Sequence, residues 1–169
     1  MARKREGLYM SVEQVITAAE LSLTDPKAQV FSLVGTQLLT KGRTDSVVAK
    51  SDDMTARVKV YAEGGENATH THLNEDHVFF VLQGEATFHL GRNADEKQVV
   101  SPMSGILLPK GSYYRFQSSG TENLVLYRVG SFAGDSDRVG PTGAPLPSRT
   151  KENNHVPGVP AEGKLFKAR

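Results

Sequence analysis

The chain has 169 residues, 38% of them hydrophobic and 23% charged, with a formal net charge of +1 and no cysteine. That length suits one domain with a core of its own, and the near-neutral charge excludes the electrostatic field that would mark nucleic acid or an anionic membrane as partner. The lack of cysteine excludes disulfides, thiolate metal sites and cysteine nucleophiles, so any metal must be held by histidine, carboxylate or tyrosine.

Arg3, Lys4 and Arg5 are followed by Glu6, Gly7 and Tyr9, where a signal peptide would place its apolar run. No stretch approaches the ~20 apolar residues of a membrane span, and the expected location is the cytoplasm. Residues 1–25 form an N-terminal segment whose one predicted element is a short helix, SVEQVITAAE at 11–20. Ser11 and Gln14 make a capping box, and Val12, Val15, Ile16 and Ala19 recur on one face. Pro26 closes it.

Residues 26–130 have another character. AQVFSLVGTQLL, TDSVVA, TARVKVYA, HVFFVLQG, EATFHLG, KQVV, GILLP, SYYRFQ and NLVLYRVG are short and rich in β-branched or aromatic residues. Turn-formers such as Lys41-Gly42, Gly64-Gly65, Gln83-Gly84 and Gly91-Arg92-Asn93 separate them. Short strands every ~8–12 residues with no helix among them predict an all-β sandwich or barrel. The unbroken apolar run at 78–82 predicts a central strand covered on both faces. Arg57, Lys59 and Tyr61 alternate on one strand; a solvated face is the first reading and a carboxylate-binding face the second. In residues 131–169 the composition shifts again, with five of the eight prolines beyond Gly140. This Pro/Gly-rich stretch is too rich in proline for a helix or central strand. Two readings stand: a disordered tail, or an extended arm across a neighbouring subunit, anchored by Leu165 and Phe166.

Three of the five histidines fall between residues 70 and 77. In a strand, residues i and i+2 share a face, so His70 and His72 aim two imidazoles at one point. Leu73–Asp76 can turn the chain. His77 then opens the next strand on the face of Phe79 and Val81, while Asp76 points the other way, which makes His77 the preferred third ligand over Asp76 or Glu75. Three neutral imidazoles suit zinc, iron, nickel or copper. His89 and His155 lack spacing to this group and read as ordinary core or surface residues.

The region resembles the cupin family. Gly64, His70, His72 and Gly84 fall in register with its first motif, with His77 at the usual glutamate position. Pro109, Lys110 and Gly111 match the end of the second motif, where Tyr114 stands in place of the customary histidine and Met103-Ser104 in place of Gly-Asp. The resemblance implies a double-stranded β-helix, or jelly-roll barrel, with a metal in its mouth and a homodimeric assembly. On this basis the metal ligands are His70, His72 and His77, for one divalent ion per chain, Fe(II) first and Zn, Ni, Mn or Cu after it. Tyr114 is the catalytic candidate, as general acid or as holder of a substrate oxygen, with ligation and simple barrel lining as alternatives. A site with no carboxylate keeps the full metal charge and favours an anionic, oxygen-chelating substrate. The expected function is a metal-dependent small-molecule enzyme, first of all an oxygenase. A redox-neutral isomerase, lyase or decarboxylase and a non-catalytic small-ligand-binding protein are the alternatives.

Overall fold

The computed structural model describes residues 27–63, 67–131, 137–147 and 157–167. The helix expected at 11–20, Gly64 and His155 lie outside the described residues. Phe31–Arg169 make one compact unit; of the other, Met1–Val30, only 27–30 are described, without helix or strand.

Among the described residues the fold is all-β. Its strands are β1 (Gln37–Lys41), β2 (Arg43–Lys50), β3 (Thr55–Tyr61), β4 (Thr71–His72), β5 (His77–Gln83), β6 (Glu85–Leu90), β7 (Glu96–Val100), β8 (Gly105–Leu108), β9 (Tyr114–Ser119), β10 (Leu124–Gly130), β11 (Arg138–Val139) and β12 (Val159–Leu165). Eight of the nine expected strands stand close to where the residue pattern placed them. The ninth, 28–39, is cut short. A turn closes Thr36 N–H on Leu33 O, and Gly35 takes φ +89, so only the end of that run becomes β1.

Five strands, ordered β2-β3-β10-β5-β8, make one antiparallel sheet, and β7-β6-β9 make another. Aromatic side chains bridge them: Phe79 lies 5.6 Å from Phe88 and 5.4 Å from Phe116, and Tyr61 meets Phe116 edge-on at 5.0 Å. This is the interior of a jelly roll, and it follows from period-two patterning. On β10, Leu124 and Leu126 join the interior cluster. The residue between them, Val125, joins a second cluster with Val58, Val60, Leu39 and Phe166 on the outer face. Burying each such side chain contributes about 1.5–3 kcal/mol. Gly84, between β5 and β6, has φ +72, and a Cβ there would stand 2.6 Å from Asn123 O, so both conformation and space require glycine.

The run at 78–82 is covered on both faces only in part, since Leu82 packs against the outer cluster and Phe80 is half-buried. Phe79 and Val81 are buried inside, but Val78 is exposed, and its cross-strand neighbour Leu107 on the edge strand β8 is exposed too. In the tail, β12 pairs antiparallel with β1 of the same chain, and Pro160 is tolerated because β12 is an edge strand. Phe166 is buried in the outer cluster of its own chain, whereas Leu165 is exposed. No helix among the described residues is long and apolar enough to cross a membrane.

The face of Arg57, Lys59 and Tyr61 is interior rather than solvated. Tyr61 and Lys59 are buried, and Asp45 on β2 receives both cations, Arg57 Nε at 2.6 Å and Lys59 Nζ through its other oxygen. Burial alone would raise the Asp45 pKa, but the charges and hydrogen bonds of Lys59 and Arg57 outweigh it and hold the carboxyl well below its usual 3.8. A carboxyl depressed on folding stabilises the folded state above its ordinary pKa, and that contribution is lost as pH falls below it. Asp45→Asn leaves two cations beside a neutral amide. We expect a loss of roughly 3 kcal/mol at pH 7 and a flatter stability curve below about pH 4, read by urea unfolding across pH.

Candidate metal centre

The histidine segment is held by two short backbone pairings. His70 and Tyr114 exchange N–H···O bonds of 3.0 and 2.9 Å, which sets the two rings 4.6 Å apart. β4 pairs with β11, with His72 opposite Arg138, so the preceding residue, Asp137, reaches His72. Residues 73–76 form a bend, and His77 starts β5 between Gly130 of β10 and Leu108 of β8. Asp76 points away, as strand parity predicts. Its carboxylate accepts from the Lys110 N–H at 2.7 Å, and Gly111 N–H donates to His72 O at 2.7 Å, so the Pro109–Gly111 turn is fastened beneath the histidines.

Each imidazole has its Nδ1 engaged. His70 Nδ1 lies 2.8 Å from Ala68 O, His72 Nδ1 2.9 Å from Asp137 Oδ1, and His77 Nδ1 3.0 Å from the Tyr114 hydroxyl. Metal-bound histidines are oriented in this way: the outer nitrogen is tied to a carbonyl, carboxylate or hydroxyl, and the inner nitrogen is directed at the ion. His70 and His77 are buried, and His72 is nearly so.

The donors that converge are those of His72, Glu75 and His77, all within 4.8 Å of one another. His70 stands beside them, its ring 5.3 Å from that of His72. Strand parity prefers His77 to Glu75, but the structure brings in both, so the expected carboxylate-free set does not form and a bound ion would have its charge partly offset by Glu75. Its Oε2 lies 2.9 Å from His77 Nε2 and 3.3 Å from His72 Nδ1, and its Oε1 accepts from Arg128 Nη2. Arg128 Nη2 also meets His77 Nε2. Burial tends to raise the Glu75 pKa, but its contacts with His72 and His77 and the Arg128 charge hold it well below the usual carboxylate range. Burial is the largest influence on His77, the Arg128 charge adds to it, and together they push it down to about 4 against the pull of Glu75. His77 is therefore neutral at pH 7, the state a metal ligand needs. Two imidazoles and one carboxylate, those of His72, His77 and Glu75, converge and fit a divalent transition metal, whereas the expected ligand His70 lies beside this group and not in it.

Residues 57–130 match the family described as the cupin domain. This segment is a cupin domain. Solved structures agree at the level of the fold. An uncharacterized conserved protein with a double-stranded β-helix domain from Klebsiella pneumoniae subsp. pneumoniae is 21% identical, with a TM-score of 0.54 over 62% of this chain and 90% of its own. A conserved protein of unknown function from Streptococcus pyogenes is 17% identical, with a TM-score of 0.51 over 64% of this chain and 91% of its own. The BH2720 protein of Bacillus halodurans is 18% identical, with a TM-score of 0.51 over 53% and 70%. Comparison with the curated proteins gives no match.

Sequence reading missed three residues of the cupin site. Arg128 was legible, because it shares the inner parity of Leu124 and Leu126 and so had to be a charge inside the barrel. Glu75 was not, because parity fails across a bend. Asp137 lies 65 residues from His72 in a Pro/Gly-rich stretch and left no signal. Gly130 has a steric role here. A Cβ would stand 2.1 Å from Glu75 Oε1 and 2.9 Å from Arg128 Nη2. Gly130→Ala should displace Glu75 and weaken zinc binding at least tenfold in a chelator-competition titration. Asp76→Ala, facing away, should leave that affinity within about twofold.

Proposed function

We propose that the cupin domain is a metal-dependent small-molecule enzyme, and more specifically an oxygenase acting on an anionic, oxygen-chelating organic substrate. The observation that carries this reading is the convergence of the His72, Glu75 and His77 donors, with the Nδ1 of each of His70, His72 and His77 engaged by a fixed partner. A structural pair of histidines would not need three separate anchors. A divalent ion, Fe(II) first, would supply positive charge to polarise substrate oxygens and a redox centre for dioxygen. The chain's own groups do the rest. Arg128 brings a buried guanidinium whose Nε has no hydrogen-bond partner among the described residues, a donor suited to a carboxylate or enolate. Tyr114, buried with its hydroxyl 3.0 Å from His77 Nδ1, holds that ring in place and is the candidate for proton transfer. A second reading, binding of an anionic ligand without a metal, is favoured by one contact: Arg128 already supplies a cation to Glu75 and His77.

The test is oxygen uptake by Fe(II)-loaded protein with a panel of 2-oxo acids, 1,3-diketones and catechols. Uptake matched to substrate loss supports the oxygenase. Turnover with Zn, Ni or Mn and no uptake transfers the site to isomerase, lyase or decarboxylase chemistry. Binding without turnover under any metal leaves the ligand-binding reading.

Tyr114→Phe isolates the hydroxyl. If its duty is to orient His77, zinc affinity should fall about 10–100-fold, the range for outer-shell partners of a ligand. Unchanged affinity with a roughly 10²–10⁴-fold loss of turnover would assign it proton transfer instead.

A further inference from the structure

We propose that the Arg128 guanidinium and a bound divalent metal exclude one another at the same donors, so that Arg128 sets the metal affinity of the site. The proposal rests on the metal-binding reading above and goes beyond it, since it concerns a residue outside the ligand set.

Arg128 Nη2 donates to Glu75 Oε1 and to His77 Nε2. These are two of the three side chains whose donor atoms converge. A neutral imidazole has one basic nitrogen, and because a guanidinium can only donate, that nitrogen is His77 Nε2, with the proton on Nδ1 beside the Tyr114 hydroxyl. The lone pair of Nε2 can therefore serve an N–H of Arg128 or a metal ion, but not both. Glu75 Oε2 faces the same Nε2 at 2.9 Å, so two acceptors confront each other and need a positive charge between them. Arg128 supplies it. A metal ion would supply more, and the two cations would repel within a buried space.

Arg128 is also unsettled in its place. Its Nε is buried without a partner among the described residues, whereas a purely structural ion pair is stable only when its remaining donors are satisfied. Its cross-strand neighbour on the same face is Arg57, which has its own carboxylate in Asp45, so that side holds a second cation and no spare acceptor. Glu75 is thus the carboxylate that holds Arg128, and a metal that takes Glu75 releases the guanidinium.

The experiment titrates wild type, Arg128→Met and Arg128→Gln with Zn²⁺ by chelator competition, and melts each with EDTA and with zinc. Both variants should bind zinc at least tenfold more tightly than wild type. Both should melt lower in EDTA, because Glu75 has lost its cation, and zinc should raise their melting temperatures more than that of wild type. A residue that merely braces the fold would lower affinity or leave it unchanged, and either result in both variants overturns the proposal. If wild type binds no zinc while a variant does, the proposal stands and the proposed metalloenzyme falls. If none binds, both fall. If wild type binds and the variants match it, only this proposal falls.

Discussion

The carboxylate of Glu75 is the point on which the rest of the site depends. It is a nearly buried anion, and such a group is destabilising unless it is paired and hydrogen-bonded. Arg128 provides the charge and the two imidazoles provide the remaining contacts. The requirement propagates outward. Arg128 must lie on the inner face of β10. Gly130, two residues on, must lack a side chain. The bend at 73–76 must carry Glu75 over the histidines rather than away from them, and Asp137 fastens that bend by accepting from the Asn74 N–H as well as from His72.

The charges inside the barrel are arranged in separate pairs. Arg128 and Arg57 are cross-strand neighbours, a like-charge juxtaposition that is destabilising on its own. Each is directed to a different carboxylate, Glu75 on one side and Asp45 on the other. Asp45 thereby occupies Arg57 and Lys59, which would otherwise be the natural anchor for an anionic ligand, and leaves Arg128 as the buried cation adjoining the histidines. Below this level the interior becomes apolar, with Phe79, Val81, Leu124 and Leu126 packed against Phe88 and Phe116 of the small sheet. That packing gives the site a rigid floor.

Strand parity was legible wherever the chain is regular. It put His77, Phe79 and Val81 on one face and turned Asp76 outward. The same logic would have revealed Arg128. It misplaced Arg57 and Lys59 only because charged residues were assumed to face water; their alternation was right and their direction was decided by a partner, Asp45, two strands' length away in sequence.

By itself, then, the sequence determined the all-β class, most strand positions, the cupin resemblance and the His-x-His pair, because these depend on local spacing and period-two patterning. Only the tertiary structure decided that Glu75 enters the site, that Asp137 and Tyr114 orient His72 and His77, and that β12 closes on β1 of its own chain. The reason is physical. A bend abolishes the parity rule that tells which way a side chain points, and a contact across 65 residues leaves no trace in the spacing of either partner. Such contacts are chosen by the closing of the barrel, which no short window of the chain contains.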